Sequence, residues 1–370
     1  MDKITRFRRD LHEIPETGLK EFKTQSYLKT ELEKMGYSPI TIASTGLYVY
    51  VDYNCEETIA FRSDIDGLPI TENNEITFKS KHEGYMHACG HDGHMSMLLG
   101  FADYLSQKDD LNRNVLLIFQ PAEENPGGAK TIVETGIFRK YNVKEIYGIH
   151  LFPNFLEGTI ITRKNAFMGS VTNLDIEIHG ESAHAAMKGE GIDALYFASK
   201  YYTDLVKAVD NLNLEENYIL KIGKMYSGSV RNIVSNYTKL EGTMRTLSDK
   251  TRELITKQMY DLKDLYEKKY GLRIVINDVF MYPTVTNDSN LVDNLKTVLT
   301  EYEFVELEEP LMISEDFSFY QKEVKGVFYF LGTKNTELGY TYLLHNDRFN
   351  FDEKVLYKGI DTYIKLINSY

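Results

Sequence analysis

The chain has 370 residues, 42% of them hydrophobic and 26% charged, with a net charge of −13 and two cysteines. These values exclude a disordered chain and a disulfide-stapled small scaffold. With no long basic run, they also argue against nucleic acid and anionic membrane as main partners.

The length suggests about two domains with ample core. The opening stretch MDKITRFRRDLHEIPE has no apolar signal core, and no window approaches the ~20 apolar residues of a membrane span. A reduced thiol at Cys89 and a cytoplasmic location are therefore expected.

In chain order, Ile4, Phe7 and Leu11 follow the helical i, i+3, i+4 pattern, and Pro15 ends that helix. Residues 24–35 repeat the pattern before Gly36. Short strands are expected at 46–52 and 58–62. The second runs into RSDIDGLPI, which places Asp64 and Asp66 just beyond a buried strand. In open α/β sheets function collects at such strand ends. Two aspartates there could ligate metal, orient a ligand histidine or cap a turn.

Residues 86–96 read MHACGHDGHMS and hold His87, Cys89, His91, Asp92 and His94. Thiolate and imidazole are ligands of borderline metals. An extended loop would aim Cys89 and His91 at one point. A His-rich surface turn before a helix is the plainer alternative. A buried helix is expected over 95–106.

The apolar run NVLLIFQ at 114–120 has the composition of a strand buried on both faces and leads into PAEENPGGAK. Two adjacent glutamates usually mean exposed charge. Beyond a buried strand, Glu123 and Glu124 could divide the work of general base and metal ligand. The strand EIYGIHL is expected to end near His150.

From residue 169 the expected order is β-α-β-β-α-β: strands at 171–179, 218–225, 239–245 and 272–277, helices at 192–208 and 249–269. This is the ferredoxin-like order. Residues 169–280 thus read as a domain inserted into a catalytic domain of 1–168 and 281–370, with hinges at 164–169 and 281–287. The chain then returns with helices at 291–301, from 312 (Ser314 as N-cap) and at 352–367, a strand at 326–331, and His345 in a loop.

The segments RRDLHEIPE, RSDIDGLPITE, HEGYMHACGHDGH, FQPAEENPGGAK, GIHLFP, ESAHAA, LEGTMRT, EDFSFY and LHNDRFNFDE together resemble the dinuclear metallo-amidohydrolases of the aminoacylase/carboxypeptidase family. They are most similar to the branch of hippurate hydrolases, auxin-conjugate hydrolases and N-acetyldiaminopimelate deacetylases, and within it to the last group. The resemblance implies an α/β/α metallopeptidase-type catalytic domain and an inserted ferredoxin-like domain serving as lid and dimer contact.

It also implies that Cys89, His91, Glu124, His150 and His345 hold two divalent ions (Mn, Zn, Co or Ni), with Glu123 as general base. Asp64 and Asp66 would support catalysis from behind the metals. On the inserted domain, His184 would approach the site, and Asn232 and Arg245 would clamp substrate. Without the resemblance, His184 reads as a loop histidine and Arg245 as a surface pair. His12, His82, His87, His94 and His179 read as structural or supporting.

Ala183 and Lys188 depart from the family's usual glycine and proline near His184, and Ser314 replaces a glycine before Glu315. The activity implied is release of acetate from N-acetyl-LL-2,6-diaminopimelate in lysine and cell-wall precursor synthesis. The alternatives are a general N-acyl-amino-acid hydrolase and a non-catalytic binding module on the same fold. The expected partners are a small N-acyl amino acid and a second copy of the chain, with neither nucleic acid nor membrane.

Overall fold

The runs 58–64 and 114–120 lack polar alternation, and both form strands buried along their whole length. A strand of this kind needs cover on both faces, and that requirement shapes the larger part of the molecule. The computed structural model describes residues 1–370 and divides into two units. Unit 1 comprises Met1–Phe167, Val285–Glu309 and Glu315–Tyr370; unit 2 comprises Met168–Thr284 and Pro310–Ser314.

Unit 1 begins with helices α1 (Lys3–His12) and α2 (Phe22–Lys34), then strands β1 (Ile40–Ile42), β2 (Gly46–Val51) and β3 (Thr58–Asp64). Helix α3 (His91–Leu105), strand β4 (Asn114–Gln120), short helices α4 (Ala129–Glu134) and α5 (Ile137–Lys140), and strands β5 (Val143–Leu156), β6 (Ile160–Thr162) and β7 (Asn165–Met168) follow.

The eight-stranded sheet has the order β1-β2-β4-β3-β5-β14-β6-β13, where β13 is Phe304–Glu306 and β14 is Lys325–Lys334. Its centre is parallel: β3 pairs in parallel with β4 and β5, and β5 with β14. One face is closed by side chains of α1, α2 and α3, of α8 (Ser289–Val298) and of α9 (Val355–Asn368), which share one core with Phe61, Leu117 and Ile149. On the other side Phe317, from the 3₁₀ turn Asp316–Lys322, packs 5.1 Å from Phe328, and Phe138 of α5 packs 5.4 Å from Tyr320. Unit 1 is thus an α/β/α layer structure.

Unit 2 runs β8 (Val171–His179), α6 (Ala194–Asp210), β9 (Ile219–Ser227), β10 (Tyr237–Arg245), α7 (Asp249–Tyr270) and β11 (Arg273–Tyr282). Its antiparallel sheet has the order β11-β8-β10-β9, the ferredoxin-like arrangement. Leu174, Ile176, Ile178, Leu240 and Met244 alternate onto the helix side and meet Tyr201, Leu205, Ile255 and Met259. Strand β12 (Val285–Asn287) pairs with β7 where the chain returns to unit 1.

Four local expectations change. The segment around Cys89 and His91 is not extended: Gly90 takes φ +84°, and His91 opens α3 four residues before the expected helix start. Strand β5 continues through Leu156, so His150 lies inside it rather than at its end. Pairing of β5 with β3 nevertheless stops at Gly148, opposite Arg62, so His150 stands beyond the reach of β3. The segment after 312 forms a 3₁₀ turn capped by Glu315, whose side chain accepts from the Phe317 N–H, and not a helix capped by Ser314. The three-residue strands β1, β6, β12 and β13 had no signal of their own. No helix is long and apolar enough to cross a membrane.

Candidate metal centre

The site is built where β3, β4 and β5 end or lose a neighbour. Asp64 closes β3 and is fully buried. Its Oδ1 lies 2.7 Å from His94 Nδ1, and its Oδ2 accepts from Arg62 at 2.9 Å. Burial opposes its charge, yet His91, His94 and Arg62 hold its carboxyl well below the usual range. Asp64 is therefore a committed acceptor.

His94 Nε2 in turn accepts from the Leu151 N–H at 2.9 Å. Both ring nitrogens of His94 are occupied, so it orients its neighbours although it stands close to His91 and His150.

Asp66 has a different task. Its two oxygens accept from the backbone N–H groups of Glu123 (3.1 Å) and Glu124 (3.0 Å). Its own carbonyl lies 2.8 Å from His91 Nδ1, which leaves Nε2 to point into the site. Asp64 thus serves the imidazoles, and Asp66 serves the glutamate turn and the His91 tautomer.

Ligand atoms of Cys89, His91 and Glu124 lie within 4.8 Å of one another. His150 Nε2 is 3.4 Å from Cys89 Sγ, and His345 Nε2 is 2.9 Å from Glu124 Oε1. His345 is brought there by its backbone N–H, which donates to Ala88 O at 2.8 Å, and by a left-handed φ of +62°. The five residues named for metal from the sequence are therefore joined by contacts around one point.

One buried atom facing that point, His91 Nε2, has no hydrogen-bond partner. Buried polar atoms rarely stay unpaired. Burial and the carboxylates of Glu124, Glu123 and Asp64 push the Cys89 thiol well up. Against burial, Asp64 and Asp66 push His91 up to about 10. This is a pocket with surplus negative charge and S, N and O donors aimed inward, which fits divalent ions of the borderline class.

Glu123 lies beside this point and is 7% exposed. Burial first, then Glu315, Glu124 and Asp316, raise its carboxyl well above the usual range. Sequence reasoning missed the group behind it. Arg62, 1% exposed, donates to Gln120 (2.8 Å), Asp64 (2.9 Å), Glu315 (2.9 Å) and Asp316 (3.1 Å). Burial pushes Glu315 up to about 8 despite Arg62. The available signal was a lone arginine in the otherwise apolar run TIAFR, since a buried guanidinium demands acceptors.

The remaining sequence candidates lie in unit 2. His184 is exposed, and its Nδ1 accepts from Ala186 N at 3.2 Å. Its neighbour Ala185 donates its N–H to Asn232 O at 3.0 Å, so His184 and Asn232 share one loop pair. Arg245 ends β10, half-buried, with a single bond to Met312 O at 2.8 Å, and desolvation lowers its pKa. No carboxylate of the chain pairs with it.

Residues 60–369 match the model of peptidase family M20/M25/M40. An uncharacterized hydrolase of Staphylococcus epidermidis is 35% identical over 99% of this chain and 98% of its own. An N-acetyldiaminopimelate deacetylase of Listeria monocytogenes is 34% identical, with full coverage of both chains. Among solved structures, a dinuclear metal-binding peptidase of the M20 family from Bacillus subtilis superposes with a TM-score of 0.85 at 28% identity, covering 99% of this chain and 97% of its own. The chain belongs to the M20/M25/M40 peptidase family.

Proposed function

For this member of the M20/M25/M40 peptidases, we propose metal-dependent hydrolysis of N-acetyl-LL-2,6-diaminopimelate to LL-2,6-diaminopimelate and acetate. The observation that carries the hydrolytic reading is the convergence of Cys89, His91 and Glu124, with His91 Nε2 left unpaired, beside the buried Glu123. The choice of substrate is supported by the name of the Listeria relative, which matches this chain from end to end.

In this reading Cys89, His91, Glu124, His150 and His345 hold two divalent ions, as in the Bacillus neighbour described as dinuclear. When bound, such ions polarise an amide carbonyl and make water acidic enough to attack it near neutral pH. Glu123 accepts the proton of the attacking water on a carboxylate oxygen. As the C–O bond forms and the C–N bond breaks, it returns that proton to the departing nitrogen. Its buried setting suits a group that must hold a proton between the two steps.

Asp66 keeps the Glu123–Glu124 turn in register through its two backbone contacts. Arg245, which lacks a carboxylate partner, would take a substrate carboxylate, and Asn232, on the loop that precedes β10, would be a second substrate contact. His184 would donate to the developing oxyanion. Unit 2 would act as lid and dimer contact, with hinges at 164–169 and 281–287. The exposed Tyr226, Val230 and Ile233 on and between β9 and β10 are consistent with a second copy docking there.

The test is acetate release from N-acetyl-LL-diaminopimelate, beside N-acetylmethionine and hippurate (assayed as benzoate release), in metal-stripped and in Mn²⁺- or Zn²⁺-reloaded protein. Metal-dependent turnover favouring the diaminopimelate compound is expected. Turnover spread across the panel would make the protein a general N-acyl-amino-acid hydrolase. Binding without turnover in reloaded protein would leave the non-catalytic reading.

A further inference from the structure

The loop 121–129 carries both glutamates and is anchored by side chains from three remote segments. Ala122 N donates to Glu21 Oε1 at 2.9 Å. Glu123 N and Glu124 N donate to the two oxygens of Asp66. Gly128 N and Ala129 N both donate to Asp316 Oδ2, each at 2.9 Å. Five backbone donors of one loop thus end on three carboxylates, all of them buried. Loop amides usually face water, and the commitment of five of them to remote side chains fixes the path of the chain.

The loop needs that fixing. Ala122, just before Glu123, holds φ +55°, a left-handed conformation that costs a non-glycine residue about 1 kcal/mol or more. Gly127 N closes the loop onto Ala122 O at 2.9 Å. If the far end is released, that closure loosens. Ala122 can then relax to negative φ, which swings Glu123 away.

Asp316 is itself held from behind. Gln120 Nε2 donates to both its oxygens at 2.8 Å, and Arg62 donates to Oδ1 at 3.1 Å. Its carboxylate also lies within 4.8 Å of that of Glu123.

We propose that Asp316 is a positioning residue for Glu123: by holding the Gly128 and Ala129 amides it locks the loop 121–129 in the conformation that aims the Glu123 carboxylate. The proposal rests on the reading of Glu123 as the general base. Asparagine at 316 would keep one acceptor oxygen but turn an NH₂ toward Arg62, Gln120 or the loop amides, all donors, so it cannot replace the carboxylate.

Two measurements test it. The first is hydrogen exchange on the unmodified protein. The amides of Ala122, Glu123, Glu124, Gly128 and Ala129 are expected to be protected to the level of strand β4; exchange at the rate of exposed loops overturns the proposal. The second is Asp316→Asn, assayed well below its unfolding temperature and at wild-type metal content. Its kcat is expected to fall about 10²-fold, the scale of a misplacement near 1 Å, with KM within about threefold. A lowered unfolding temperature with kcat within about threefold of wild type would reduce Asp316 to a structural residue and overturn it.

Should Asp316→Asn not fold, Glu21→Ala removes the acceptor of the Ala122 N–H at the near end of the same loop, and a kcat loss of about fivefold or more is expected; an unchanged kcat counts against the lock. Wild-type protein without turnover on any N-acyl substrate overturns the reading of Glu123, and the exchange pattern then decides the lock on its own.

Discussion

Charge is used in opposite ways in the two units. In unit 1, Arg62 is 1% exposed and serves Asp64, Glu315, Asp316 and Gln120 at once. In unit 2, Lys239 lies on the open face of the sheet, 3.2 Å from Asp175 and 2.9 Å from Glu241, with its side chain 27% exposed. A buried guanidinium fixes the direction of every group around it, because each lost partner leaves an uncompensated charge. A solvated cross-strand pair adds little beyond local order. The same residue types thus preorganise a site in one unit and decorate a surface in the other. Of the candidate groups of unit 2, His184 and Asn232 are exposed and Arg245 keeps a single bond, to Met312 O.

That contrast can be broken by mutation. The largest effect is expected for Glu123→Gln: turnover should fall by about 10³-fold or more, the scale of a lost general base, with the fold and metal content retained. Residual activity within tenfold of wild type would move the base elsewhere. Next, Arg62→Ala should destabilise unit 1 by about 3–5 kcal/mol in denaturant unfolding, since it strands three buried carboxylates. A loss below about 1 kcal/mol would put Arg62 in the same class as Lys239.

Arg245→Ala should raise KM by about 10–100-fold and change kcat little, the worth of one charge-assisted hydrogen bond to substrate. An unaltered KM would leave Arg245 holding only Met312. The smallest effect belongs to Lys239→Ala, expected to cost less than about 1 kcal/mol and to leave turnover unchanged. A larger cost would show that the open face of the unit 2 sheet is covered in solution.

Much of this was legible in the order of residues. Strands β4 and β8 fall on their expected spans because uninterrupted or strictly alternating apolar runs carry a strong period. The start of α3 was misread because two features lower its helical signal. Gly90 reads as loop, and Gly93 reads as a breaker. In the structure Gly93 is required by close approach: a Cβ there would stand 2.6 Å from Leu151 Cδ1 and 2.9 Å from Phe351. Tertiary packing has overridden propensity at that turn.

The separate tasks of Asp64 and Asp66 were not legible. They depend on which of two neighbouring directions each side chain takes at the end of β3. Nor were the partners of Arg62, which are as far away in sequence as Glu315 and Asp316. Periodicity reports burial, but it does not say which buried charges meet.

The division of the chain has a consequence for its biosynthesis. Strands β1 to β5 leave the ribosome first. The whole run from β8 to β11 follows, and only then does β14 arrive to pair with β5. Unit 2 can complete its own sheet while β5 still has one edge without its permanent neighbour. That edge is apolar, reading Ile146, Tyr147, Ile149 and Leu151. Such an edge invites pairing with other chains. The interval between synthesis of β5 and of β14 is therefore when the nascent chain is most exposed to aggregation. A slower ribosome or a destabilised unit 2 would lower the yield of folded protein without touching a single group in the metal centre.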